Sequence, residues 1–133
     1  MPFVKVNLLR GRSAAEKDAI AASIQGALER TLDVSEANRY QLFNELDQES
    51  FRHTSGLLGL TYSDRLLIIE ITIRTGDGDE RKQSLHAEIN RNLVAAGAAR
   101  ADDMFVLITE IGDADVSFGR GLSQRAPAAH AAT

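Results

Sequence analysis

The chain has 133 residues and a formal net charge of -4, with acidic and basic residues intermixed along its length. It contains no Cys and no Trp, which excludes disulfides and thiolate chemistry, and its charge pattern offers no footprint for nucleic acid or an anionic membrane. A composition 44% hydrophobic and 26% charged, without a legible leader peptide or bilayer-length apolar run, sets the expectation of a soluble cytoplasmic protein.

In chain order, Pro2–Leu9 reads as a strand, with Val4, Val6 and Leu8 alternating along it. Ser13-Ala-Ala-Glu16 has capping-box spacing and opens a helix whose apolar stripe is Ile20, Ile24 and Leu28. Asn38 and Arg39 precede a second strand, Tyr40–Leu46. The long connection Asp47–Arg65 is expected to be an active-site or partner-contacting loop. A third strand, Leu66–Ile73, leads into Arg74. Gly76-Asp77-Gly78-Asp79 then starts a second helix, where an Asp can cap; its stripe is Leu85, Ile89 and Leu93, and Gly97 ends it. Met104–Ile111 is the fourth strand, and the mostly Ala segment Ala126–Thr133 is expected to be a disordered tail.

The two halves match without gaps at a constant offset of 65. Ile20, Ile24 and Leu28 correspond to Leu85, Ile89 and Leu93, and Val4, Val6 and Leu8 to Ile69, Ile71 and Ile73. This predicts an α/β (α+β) fold built from a tandem βαβ repeat, a four-stranded mixed sheet with both helices on one face. The units span about 2–47 and 66–112 within a single domain 1–125, of which 113–125 is a C-terminal segment. Val4, Val6, Leu8, Ile69, Ile71 and Ile73 should face the helices. The opposite parity, Phe3, Lys5, Asn7, Ile68, Glu70 and Thr72, is semi-polar yet too apolar to stand bare, which suggests an oligomer.

Pro2 carries the most chemical information. Methionine removal before a small residue would leave a free secondary amine able to shuttle a proton once cations and an apolar pocket lower its basicity; otherwise Pro2 merely starts a strand. A guanidinium at a strand end, as in Arg74, can clamp a carboxylate through two parallel hydrogen bonds, or can pair with Asp77 or Asp79. Arg39 is a second candidate cation or a solvated strand-start residue. Asn38 can orient a carbonyl or water but cannot act as a base, and it equally suits a turn. His53, His86 and His130 lack metal-ligand spacing, and no metal site is expected. Asp113-Ala-Asp115 and Asp77-Gly-Asp79 lack the calcium-loop pattern, and no dinucleotide fingerprint or Ser–His–Asp arrangement is present.

Met1-Pro2-Phe3-Val4-Lys5, Leu9-Arg10-Gly11-Arg12-Ser13, Asn38-Arg39-Tyr40-Gln41 and the stretch Asp113–Gly121 together resemble the tautomerase superfamily, and more narrowly its malonate semialdehyde decarboxylase-like branch. The resemblance reaches to about Gly121. It implies a homotrimer without a cofactor, acting on a small carboxylate substrate. It also implies Pro2 as the catalytic amine, Arg74 as the carboxylate-binding arginine and Phe118 as an aromatic pocket wall. Asn38 and Arg39 would be substrate-binding. Three positions depart from the decarboxylase pattern: Asn38 replaces an Asp, Gly76 a second Arg, and Val116 a Trp.

Three functions follow as expectations. The leading one is a proline-dependent tautomerase that interconverts keto and enol forms of small 2-oxo acids. The others are a decarboxylase or hydratase of a 3-oxo acid such as malonate semialdehyde, and a catalytically idle trimeric binding protein.

Overall fold

The computed structural model describes residues 1–123; the expected disordered tail lies outside them. Four strands form a mixed sheet: β1 (Phe3–Leu9), β2 (Gln41–Leu46), β5 (Leu67–Arg74) and β6 (Met104–Ile111), in the order β2-β1-β5-β6. Helices α1 (Ala14–Leu32) and α2 (Gly78–Ala95) are the two crossovers. Ser13 caps α1 through its side chain, reciprocated by Glu16, as the spacing predicts. At α2 the expected Asp cap is absent: Asp77 makes no capping bond, and its carboxylate pairs instead with Arg81 at 3.0 Å.

The repeat is geometric as well as textual. β1 pairs with β2 in parallel with Val4 opposite Gln41, and β5 pairs with β6 in parallel with Ile69 opposite Val106, a separation of 37 in both units. The ion pair Lys17–Glu45 that ties α1 to β2 recurs 65 residues later as Lys82–Glu110. Where each first strand turns toward its helix, Gly11 (φ +126°) and Gly76 (φ +122°) occupy equivalent positions in a conformation that penalises any side chain. The central pair β1–β5 is antiparallel and sets Lys5 opposite Glu70, its own repeat equivalent, so a pseudo-twofold axis passes between them.

Val4, Val6, Leu8, Ile69, Ile71 and Ile73 are buried against Ile20, Ile24, Leu28, Leu85, Ile89 and Leu93. Each fully buried Leu or Ile contributes roughly 1.5 to 3 kcal/mol over its exposed state. The other sheet face is open. Asn7 donates to Glu70 Oε2 (2.8 Å), Asn44 donates to Asn7 Oδ1 (3.1 Å), and Leu42 and Leu107 stand about half exposed beside them.

The connection between the units contains a 3-10 turn (Gln48–Ser50) and a short hairpin, β3 (Gly56–Leu57) with β4 (Leu60–Thr61). Because β2 runs parallel to β1, this connection leaves from the Leu9 end of the sheet, opposite Pro2. The expectation of an active-site loop therefore fails within one chain. The buried Asp103 carboxylate accepts from Ser63 N (2.8 Å), Ser63 Oγ (2.6 Å) and Arg100 Nε (3.0 Å), while Arg12 donates to Arg65 O (2.9 Å) and Ala98 O (3.0 Å).

Burial alone would raise the Asp103 pKa, but the hydrogen bonds from Arg100 and Ser63 outweigh it and hold the carboxyl below its ordinary 3.8. A depressed folded-state pKa stabilises fully above the unfolded value and fades as pH falls through the folded one. Asp103→Ala should therefore cost about 1 to 3 kcal/mol at pH 7 by orphaning these donors. The gap to the parent should narrow below about pH 4. Urea unfolding at both pH values checks this; equal stability at pH 7 would remove Asp103 as the anchor of the connection.

Candidate active site

Parallel pairing within each unit and antiparallel pairing between them gather four chain positions at one end of the sheet. These are the starts of β1 and β2 and the ends of β5 and β6. The backbone closes them together: Val4 N donates to Tyr40 O (2.9 Å) and Thr75 N to Ile111 O (3.0 Å). Pro2 is buried at this end, and Arg74 stands half exposed at the tip of β5. Arg74 pairs not with Asp77 or Asp79, as weighed from the sequence, but with Asp113 just beyond β6, Nη1 to Oδ1 at 3.3 Å. The register that puts Arg74 opposite Ile111 explains the exchange, since it brings the turn after β6 alongside.

Two clefts open here. One, on the open-face side, has a volume of about 250 Å³ and is walled by Met1, Phe3, Tyr40, Thr72, Val116 and Phe118. Tyr40 and Phe118 stack, with ring centroids 6.1 Å apart and planes inclined by 21°. Phe118 is held there because the chain reverses through Arg120 (φ +59°) and Gly121 (φ +70°), pairing Ser117 with Ser123. The other cleft, about 300 Å³, lies toward the helices and is walled by Met1, Leu32, Val34, Arg74, Thr75 and Asp77. The terminal amine of Met1 has its pKa lowered from the ordinary 8.0, first by burial and then by the positive charge of Arg74. The guanidinium and the start of the chain therefore share one electrostatic environment.

Pro2, Arg74 and Phe118 are thus brought to the same end, with Val116. Asn38 and Arg39 are not drawn in. Both are exposed and line neither cleft, and Asn38 N closes a turn onto Ser35 O (2.9 Å). Tyr40 and Asp113 join the site although sequence reasoning gave them no role there. The parallel pairing of a βαβ unit was the available signal: it puts the start of the second strand, and so its aromatic residue, beside the start of the first. His53 packs edge-on against Phe51 and Tyr62 (centroids 5.2 and 6.0 Å), and no cluster of three or more metal-ligating His, Cys, Asp or Glu side chains exists among the described residues. No helix among them is long and apolar enough to cross a membrane.

Comparison with known proteins converges on one group. A family described as tautomerase enzyme matches residues 38–119, and a second family of the same description matches residues 2–53. The probable tautomerase YusQ of Bacillus subtilis (strain 168) is 26% identical over 93% of this chain and 98% of its own. Among solved structures, a malonate semialdehyde decarboxylase with decarboxylase and hydratase activities is 25% identical, with a TM-score of 0.83 over 90% of this chain and 92% of that one. The FG41 malonate semialdehyde decarboxylase inhibited by 3-bromopropiolate is 29% identical, with a TM-score of 0.82 over 90% and 91%. A native fused 4-OT, at 24% identity and a TM-score of 0.77 over 95% and 98%, shares the fold.

Proposed function

Since the chain belongs to the tautomerase family, we propose that it interconverts the enol and keto forms of small 2-oxo acids, using the amine that Pro2 presents once Met1 has been removed. The observation that carries this reading is the meeting of the start of β1 with Arg74 at one end of the sheet. Burial and Arg74 depress the basicity of the terminal amine there, and the same surroundings act on an amine one residue further in. A proline nitrogen of lowered pKa takes the enol hydroxyl proton, and its conjugate acid delivers a proton to the neighbouring carbon. Arg74 holds the substrate carboxylate, and Phe118 and Tyr40 keep the opposite wall apolar.

The likeness to malonate semialdehyde decarboxylases supports a second reading, decarboxylation or hydration of a 3-oxo acid. Three features weigh against it. Asn38 is an exposed turn residue that cannot ionise, Val116 leaves the wall lower than a Trp would, and Gly76 leaves Arg74 without a neighbouring arginine. With φ at +122°, Gly76→Arg would be strained, so that substitution is not expected to rescue the clamp. The test is to assay phenylenolpyruvate and malonate semialdehyde on one sample shown by intact mass to lack Met1. Faster turnover of the enol acid is expected; efficient decarboxylation with little ketonisation would reverse the assignment.

The bare sheet face with Lys5, Asn7, Glu70 and Thr72 is proposed to be buried in a homotrimer, the assembly of a fused 4-OT of the same fold. Light scattering should give three chains per particle; a stable monomer at micromolar concentration would contradict it.

A further inference from the structure

Arg74 can take a ligand carboxylate only while the acids of its own chain leave it room. Asp77 is the nearest of them in sequence, and both residues line the helix-side cleft. They do not pair. Arg81 Nη1 donates to Asp77 Oδ1 (3.0 Å) and Arg81 Nη2 to Asp33 Oδ2 (2.7 Å), so one guanidinium holds the residue just past α1 and the residue just before α2. The backbone fixes Asp77 as well. It lies between two glycines of positive φ, Gly76 (+122°) and Gly78 (+78°), and its own αR conformation at the N-cap makes no capping bond. The side chain gives up the cap its position offers and pairs with Arg81 instead.

The other unit supplies a control. At the offset of 65, Arg12, Glu16 and Ala98 stand in the places of Asp77, Arg81 and Asp33. They form the same brace with the charges exchanged: Arg12 donates to Ala98 O (3.0 Å) and lies 4.0 Å from Glu16. The fold therefore accepts a cation in this turn as readily as an acid. At that end the residue in the place of Arg74 is Leu9. The acid, with an arginine one helical turn later to hold it, occurs at the end where the turn follows Arg74.

We propose that Arg81 is a positioning residue that keeps Asp77 off Arg74, so that the Arg74 guanidinium is left to a ligand carboxylate. Asp113, which does pair with Arg74, is the weaker competitor. Its side chain is 49% exposed and meets Arg74 through one nitrogen at 3.3 Å, a contact that solvent screens and an incoming carboxylate displaces. The Asp77 side chain is 24% exposed, so its charge would act on Arg74 through less water. Without Arg81, Asp77 either pairs with Arg74 or repels the ligand carboxylate, and both weaken binding.

This rests on the carboxylate-binding role proposed for Arg74, and it is tested by binding rather than turnover. Propionate is titrated calorimetrically into the processed chain, verified by intact mass, and into its variants. Arg81→Gln should weaken propionate by about three- to tenfold. Arg81→Gln combined with Asp77→Asn should return the affinity to within about twofold of the parent, although the double variant still lacks the brace. A merely structural role for Arg81 predicts no such recovery. Arg81→Lys, which keeps the charge but not the fork that spans two acids, should fall between parent and Arg81→Gln. In spectra of the ligand-free protein the Arg74 Nε–H signal should move in Arg81→Gln and return in the double variant. An affinity unchanged in Arg81→Gln, or a double variant as weak as the single one, would overturn the role. Arg74→Ala is the reference: propionate affinity that survives it removes the Arg74 clamp and this inference together, whereas affinity lost in Arg74→Ala but kept in Arg81→Gln removes this inference alone.

Discussion

Pro2→Ala is expected to lower enol ketonisation by the processed protein at least about a hundredfold, the lower bound of what a positioned acid–base group supplies. The loss should fall mainly on kcat, because the contacts assigned to binding, Arg74 and the Tyr40–Phe118 wall, are untouched. Methionine removal tolerates Ala as well as Pro, so the variant retains a terminal amine, but a primary one on a chain start free to rotate; Pro fixes φ there. The pH profile supplies a second reading. Acting as a base, the parent amine should bring activity up with rising pH, and burial and Arg74 should move that limb below the position of an unperturbed proline. Steady-state kinetics with phenylenolpyruvate between pH 5 and 9 check both statements. A variant as fast as the parent would rule out Pro2 as the proton carrier.

Arg74→Ala should cut kcat/KM for carboxylate substrates by about thirty- to a thousandfold, the cost of losing one charged partner in a partly dry site. Stability should barely move. The Arg74–Asp113 pair is about half exposed on both sides, and such surface pairs contribute little to folding. That separation between activity and stability distinguishes a ligand-binding guanidinium from a structural one. Lys in its place should restore only part of the rate, because an ammonium lacks the planar fork that meets two carboxylate oxygens at once. Kinetics beside thermal unfolding decide the matter: near-parent rates in Arg74→Ala would place the side chain outside the site, and a large fall in melting temperature would make it architectural.

The fold was legible in the sequence because its evidence is periodic. The stripes Ile20–Ile24–Leu28 and Leu85–Ile89–Leu93 needed a common apolar layer, and the alternation in β1 and β5 supplied it. Strand ends were off by one residue at Pro2, Tyr40, Leu66 and Ile73, where the apolar run and the hydrogen-bonded ladder do not start or stop together. The site was legible where chain position alone decides location: Pro2 and Arg74 lie at a strand start and a strand end that antiparallel pairing must bring together. It was not legible where a side chain's partner depends on how loops close. Asn38 and Arg39 follow a turn that leaves them in solvent, whereas Asp113 is carried to Arg74 by a turn whose course no periodicity encodes. Gly76, read as a missing arginine, is also a backbone requirement, since Gly11 takes the same conformation in the other unit.

The pseudo-twofold axis between Lys5 and Glu70 makes the two ends of the sheet geometric copies, and the residue equivalent to Pro2 at the far end is Leu67. Leu67 is fully buried, its nitrogen is committed to a peptide bond, and its N–H donates to Asp103 O (2.9 Å). A reaction that depends on a chain terminus cannot be duplicated by duplicating the fold, because concatenating two units consumes one of the two termini. On the proposed mechanism, the far end therefore has no amine to offer. There the counterparts of Val116 and Phe118 are Phe51 and His53, packed with Tyr62 into an aromatic cluster. The tandem chain thus differs at equivalent places: both ends carry an open-face cleft, about 250 Å³ beside Val116 and about 240 Å³ beside Phe51, but only the first lies next to the start of the chain, and at the other that place is taken by the buried Leu67.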